Sequence, residues 1–231
     1  MEIKPHYLVI SPLLGEIHWD ASPSDTLLSL QLAYIGFLQN NFADLILDLR
    51  QGFTSVAIYW KNPQAQSSFQ EQFEAITIDP KVLTEKTWQV PVCYEEPFAK
   101  DLVQLVHQKN IEVSELIALH SSVIYRIHFF GFLPGFMYLH GLPERLHFPR
   151  KAVPDRAVPR GSVAIGGAQT GIYPRESPGG WHIIGQSPIL LFDREKNPPV
   201  WASPGDRLKF VPITSMEMEE LLKNPPLPTC I

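Results

Sequence analysis

The run RLHFPRKAVPDRAVPR, residues 145–160, gathers Arg145, Arg150, Lys151, Arg156 and Arg160 into a chain whose formal net charge is −5. Its three prolines, Pro149, Pro154 and Pro159, fix φ and so stiffen the backbone that carries these cations. A guanidinium held in place on such a loop suits a carboxylate or a phosphate. A solvated surface loop is the competing reading. A second run, YPRESPGGWHIIG at residues 173–185, sets Trp181 and His182 directly behind two adjacent glycines. Gly179 and Gly180 are expected to allow backbone torsions closed to other residues, turning Trp181 either toward a cleft or into a core. FFGFLPGFMYLHGL, from Phe129 to Leu142, poses the same choice between core packing and the aromatic wall of a pocket.

Other chemistries lack their residues. There is no Gly-x-Ser-x-Gly elbow, no His-Glu-x-x-His and no Cys-x-x-Cys. GSVAIGGAQTG, residues 161–171, is glycine-rich but lacks the Gly-Lys-Ser/Thr ending of a phosphate-cradling loop, so it reads as a turn cluster. His140, Glu144 and His147 have helical ligand spacing, yet Gly141 and Pro143 interrupt any such helix, and no metal site is expected. His120 ends an apolar helical stripe and reads as a boundary histidine ahead of a catalytic base.

Two kinds of architecture must position these residues. Eleven of the 14 glycines lie between Gly131 and Gly205, and only Gly15, Gly36 and Gly52 precede them. Residues 1–85 read as a small α+β domain. HYLVI, LGEIHW, DLILDL and TSVAIYW are strands, one helix starts at Ser22, Pro23 and Asp25, and SSFQEQFEAI is another. Residues 86–231 open with the strand TWQVPVCY, a helix beginning at Pro97 and a helix capped by Ser114. YRIHFF, GSVAIGG, HIIG, ILLFD, PVWA and DRLKFVPI then follow as short strands between Gly/Pro turns, which points to a closed or nearly closed β-barrel. MEMEELLKNPPLPTCI supplies a last short helix.

The bulk numbers exclude several classes. With 45% hydrophobic and 19% charged residues over 231 positions, a substantial core is available. The sequence pI near 5.9 leaves no basic excess for nucleic acid. Two cysteines, Cys93 and Cys230, are too few for a disulfide framework. No apolar run is long enough for a membrane span, and the start shows no leader pattern, so a cytoplasmic location is expected.

GFLPGFMYLHGLPERLHFPRKAVP, VPRGSVAIGGAQTGIYPRESPGGWHIIGQSPILLFD and SPGDRLKFVPI, in that order, resemble the family of KipI and the B-type 5-oxoprolinase subunits (PxpB). That family is in turn similar to allophanate hydrolase subunit 1 and to the carboxyltransferase domain of urea carboxylase. The likeness covers about residues 88–213. It departs from the family pattern at Met137, Asp155, Arg160 and Arg175-Glu176.

The resemblance implies an α+β N-terminal domain followed by a mainly-β, cyclophilin-like barrel. It implies a non-autonomous subunit of an ATP-dependent 5-oxoprolinase, which opens 5-oxoproline to L-glutamate. The partners implied are a related second subunit (the C-type, or KipA-type, chain) and a third, lactam-binding subunit. ATP, with Mg2+, is expected at a site completed by partner chains. A histidine-kinase inhibitor of the KipI type and a subunit of an allophanate or urea amidolyase-like complex are the alternatives. Substrate or nucleotide contacts are expected from Arg150, then Lys151 and Arg156, with Gln169 and Tyr173 as neutral hydrogen-bonding groups and Trp181 as an apolar wall. Pro134, Gly135, Tyr138, Gly179 and Gly180 are expected to shape the site, and no residue is assigned as the catalytic base.

Overall fold

A computed structural model describes residues 3–231, which form two compact units, one up to Leu83 and one from Thr84 to Ile231. In the first unit, strands β1 (Pro5–Ser11), β2 (Leu14–Trp19), β3 (Ile46–Gln51) and β4 (Ser55–Trp60) make an antiparallel sheet in the order β1-β2-β4-β3. Alternation along β2 and β4 sends Ile17, Trp19, Val56, Ile58 and Trp60 to one face. There they pack against α1 (Asp25–Asn41), through Leu27, Tyr34 and Leu38, and α2 (Pro63–Phe73), through Phe69 and Phe73.

Helix α1 is capped by Ser24, not Ser22: its hydroxyl accepts from the Leu27 N–H at 3.2 Å. Pro23 disfavours the helical region for residue 22, so the helix starts after it. Asn62 caps α2 in the same way, with Pro63 in its first turn. That helix therefore starts four residues before Ser67 and stops at Phe73, short of Ile76.

The second unit is a seven-stranded mixed barrel. Its strands are β5 (Thr87–Cys93), β6 (Ile124–Phe130), β7 (Met137–His140), β9 (Ser162–Gly166), β10 (Gln169–Ile172), β12 (His182–Gln186) and β13 (Arg207–Ile213). They run β12-β9-β10-β7-β6-β13-β5, and β12 closes back onto β5 where Gln186 meets Cys93. Gly185 makes the closure possible: a Cβ there would stand 2.8 Å from the Cys93 carbonyl oxygen and 2.8 Å from Val92 Cγ1. Every one of the seven strands contributes to one continuous hydrophobic core.

A polar chain is buried within that core. The Thr170 hydroxyl donates to the Ala164 carbonyl, so its oxygen accepts from His120 Nε2–H, and the Tyr94 hydroxyl donates to His120 Nδ1 at 2.7 Å. Burial holds the His120 pKa down to about 3, leaving the ring neutral and stacked on Phe210. His120 is thus a fully satisfied core residue in the last turn of its helix.

Helices α3 (Leu102–Lys109), α4 (Val113–Ser122) and α5 (Ser215–Lys223) flank the barrel strands. Pro97 does not begin a helix; it follows a cis peptide in a turn, and α3 starts at Leu102. Ser114 is not a cap either, since α4 begins at Val113 without a side-chain cap. ILLFD and PVWA are not strands: both lie in irregular chain, yet Ile189, Leu191 and Ala202 reach the core. Composition alone does not separate out β7, β10, the short pair β8 (Asp155–Val158) and β11 (Ser177–Gly179), or β14 (Thr229–Cys230) on β5. No helix among the described residues is long and apolar enough to cross a membrane.

Candidate functional site

The strands β7, β9 and β12 are apolar on both faces. Met137, Leu139, Val163, Ile165 and Ile184 enter the barrel core, whereas Tyr138, Ala164 and Ile183 point the other way. A strand with two apolar faces needs cover on both. On the outer face the cover is a separate aromatic cluster of Phe136, Tyr173 and Trp181 with Val158, flanked by Leu133 and Tyr138. The rings meet edge to face: Phe136–Trp181 at 5.6 Å, Phe136–Tyr173 at 5.4 Å and Tyr138–Trp181 at 6.3 Å between centroids.

Beside this cluster opens a cleft of about 350 Å3. Its apolar wall is Phe132, Phe136, Tyr138, Tyr173 and Trp181, and its rim is Arg150, Lys151 and the Pro178–Trp181 segment. Phe132 stands 60% exposed at the mouth with φ of 61°, a conformation a bulky residue rarely takes.

The glycines before Trp181 serve a different purpose from the one their type suggested. Neither Gly179 nor Gly180 is among the residues with positive φ. A Cβ on Gly179 would instead collide with the Tyr173 hydroxyl, and one on Gly166 with the Trp181 indole. Missing side chains, not unusual torsions, let the two rings lie flat on the wall.

The proline-stiffened loop is pinned on both sides of Arg150. His182 Nε2 donates to the Pro149 carbonyl at 3.0 Å, and the Lys151 N–H donates to the Gly180 carbonyl at 2.7 Å. The Arg150 guanidinium therefore stands over the Trp181 ring, 5.6 Å from its centroid, with no ion pair among the described residues. Lys151 has a different role. Its ammonium bridges Asp101 at 2.6 Å and Asp155 at 2.7 Å, and Asp155 also takes Lys100 at 3.0 Å. These carboxylates hold the Lys151 pKa above its ordinary value despite the opposing pull of desolvation. Burial pushes the Tyr173 phenol up to about 12, against the Trp181 backbone N–H and Arg150, which favour its anion. Both cleft phenols stay protonated at neutral pH, because burial also raises Tyr138.

Seven of the eleven expected site residues line this cleft: Arg150, Lys151, Tyr138, Tyr173, Gly179, Gly180 and Trp181. Four do not. Arg156 is exposed on β8, and Gln169 begins β10 with its carboxamide oxygen buried and unpartnered among the described residues. Pro134 and Gly135 form the turn that delivers Phe136, with Gly135 at φ 85° where an added Cβ would meet Phe192. Phe132, Phe136, Pro154 and Pro178 complete the lining without having been assigned individually. Gly166, behind Trp181, is revealed only by the collision that a Cβ there would make. His140, Glu144 and His147 share no helix, since His140 ends β7 and a short 3-10 turn spans Glu144–Leu146.

Among the described lining residues there is no carboxylate, imidazole, thiol or aliphatic hydroxyl. Such a lining can bind and orient a small ligand, and it presents no carboxylate or imidazole to act as a general base. One unpaired guanidinium and an aromatic wall fit a small ring bearing a single carboxylate or phosphoryl group. A triphosphate with Mg2+ asks for several cationic donors and an oxygen ligand for the ion, and does not fit this cleft. A second cleft, of about 550 Å3 in the first unit, is lined in part by Thr26, Leu30, Tyr34 and Phe73, and holds none of the expected residues.

Fold and sequence comparisons agree on a class. The profile of the carboxyltransferase domain, subdomains C and D, matches residues 16–202, and this chain belongs to that family. The urea amidolyase of Kluyveromyces lactis shares the fold at a TM-score of 0.82 and 18% identity, over 99% of this chain and 16% of that one. Within the family the sequence relatives are more particular. The chain is 36% identical over 175 residues to the B-type 5-oxoprolinase subunit of Escherichia coli O157:H7, covering 72% of this chain and 78% of the relative. It is 46% identical over 123 residues to the protein of the same name from Haemophilus influenzae, covering 53% of this chain and 58% of the relative.

Proposed function

We propose that this chain is the B-type subunit of an ATP-dependent 5-oxoprolinase, which opens the cyclic amide of 5-oxoproline to L-glutamate. The assembly is completed by the related C-type chain and a third, lactam-binding subunit. In the net reaction two waters are consumed: one opens the ring C–N bond, giving an oxygen to the new carboxylate and its protons to the released amine, and the other is accounted for by ATP becoming ADP and phosphate. This chain contributes the cleft. The five-membered ring lies against Trp181, and its carboxylate pairs with Arg150. The observation that carries the reading is the guanidinium held over the indole by two clamped backbone positions, with no carboxylate among the described residues to neutralise it. Because the described lining of this cleft offers no carboxylate or imidazole and no seat for a triphosphate, ATP and the catalytic base are assigned to a site that partner chains complete.

Glutamate release from 5-oxoproline and ATP tests this directly. The chain alone is expected to be silent, and the chain with both partners active. Turnover by the isolated chain, or none by the full assembly, would contradict the reading.

A further inference from the structure

His6 and His18 are direct cross-strand partners on β1 and β2, with ring centroids 5.1 Å apart. Because Ile17 and Trp19 turn into the core, Glu16 and His18 occupy the opposite face of β2, and His6 shares it across the register. Asp20, just beyond β2, reaches both imidazoles. Its Oδ1 lies 3.5 Å from His18 Nε2 and its Oδ2 lies 3.7 Å from His6 Nδ1. One donor atom from each of the three residues falls within 4.8 Å of the others.

Glu16 stands behind His18 on the same face of β2. Its carboxylate stands 3.3 Å from His18 Nδ1 and can only accept, so in the neutral ring the proton sits on Nδ1. The lone pair is then on Nε2, the atom that faces Asp20. Nε2 then offers its lone pair on the side where an ion shared with Asp20 would sit. A carboxylate behind a histidine, fixing its tautomer and raising its basicity, is the usual outer partner of a metal-bound imidazole.

We propose that His6, His18 and Asp20 bind a divalent transition-metal ion, with Glu16 orienting His18. Two imidazoles and one carboxylate select zinc or its neighbours over magnesium and calcium, which prefer all-oxygen sets. Bonds of about 2.0–2.1 Å require the exposed Asp20 and the two part-buried imidazoles to close by about an ångström, and the strand register already places both histidines on a common face. The bound ion ties the edge strand β1 to the exit of β2.

The test is a calorimetric zinc titration of the full chain at about pH 7.5, where an ordinary imidazole is neutral. A Cys230→Ser background removes the exposed thiol as a rival ligand. One equivalent is expected to bind. Binding disappears in His6→Ala and in His18→Ala, weakens roughly 10- to 100-fold in Glu16→Gln, and is not reproduced by magnesium. Zinc raises the melting temperature of the parent and leaves both alanine variants unmoved, while all melt alike without zinc. His6→Gln, which keeps a polar side chain on the strand, behaves as His6→Ala. Absence of zinc binding, or binding that survives both alanine substitutions, overturns the proposal.

Discussion

The inner and outer faces of the barrel wall use the same strands for opposite ends. Inside, Val163, Ile165, Ile184 and Met137 lock into the barrel core, where the polar chain through His120 is satisfied from Tyr94 to the Ala164 carbonyl. Outside, one residue along, Ala164, Ile183 and Tyr138 support a smaller aromatic cluster that stops short of covering itself. That leaves a cleft, with a cation at its edge. The difference teaches where to look when a strand is apolar throughout. Its second face must be covered by something, and the cover is free to be a binding site.

The comparison can be broken first through acid. Unfolded, His120 takes a proton below about pH 6.5; folded, burial keeps it neutral down to about 3. The unfolded state thus binds more protons between those values, and stability falls as pH falls from 6.5 toward 3. The slope is up to about 1.4 kcal/mol per pH unit from this group alone. Denaturant unfolding across that range should show the slope, and a His120→Gln variant should lack that increment.

Two glycines then separate the faces by the same chemical change. Gly185→Ala drives a Cβ onto the backbone of β5 at the barrel seam, and is expected to cost about 3 kcal/mol of stability. Gly166→Ala drives its Cβ onto the Trp181 indole, displacing a ring that borders the cleft where Gly185→Ala displaces strand backbone. It is expected to cost about 1 kcal/mol, yet to abolish glutamate release per folded molecule in the assembled complex. Thermal melts and turnover on the two variants check both; equal stability losses would erase the distinction between plug and cleft.

How much of this was legible in the sequence depends on the kind of signal. The glycine shift after Gly131 and the apolar alternation of LGEIHW and TSVAIYW mark both architectures, because those signals are local. Ser24 displaced Ser22 as the α1 cap because Pro23 acts on the residue before it. ILLFD and PVWA read as strands because burial and strand character look alike in composition, whereas the folded chain buries Ile189, Leu191 and Ala202 from irregular segments. The stiff basic loop pointed to Arg150, but it could not reveal that Asp101, 50 residues away, claims Lys151. The roles of Gly166 and Gly179 depend on rings that approach only in the fold.

The most direct test of the outer cleft as a binding site is Arg150→Ala in the assembled complex. Arg150 is exposed and makes no ion pair among the described residues, so the melting temperature should stay where it is. The KM for 5-oxoproline should rise roughly 10- to 100-fold, the worth of one charge-assisted contact to a carboxylate. An unchanged KM, or a loss of activity that simply tracks unfolding, would contradict the account.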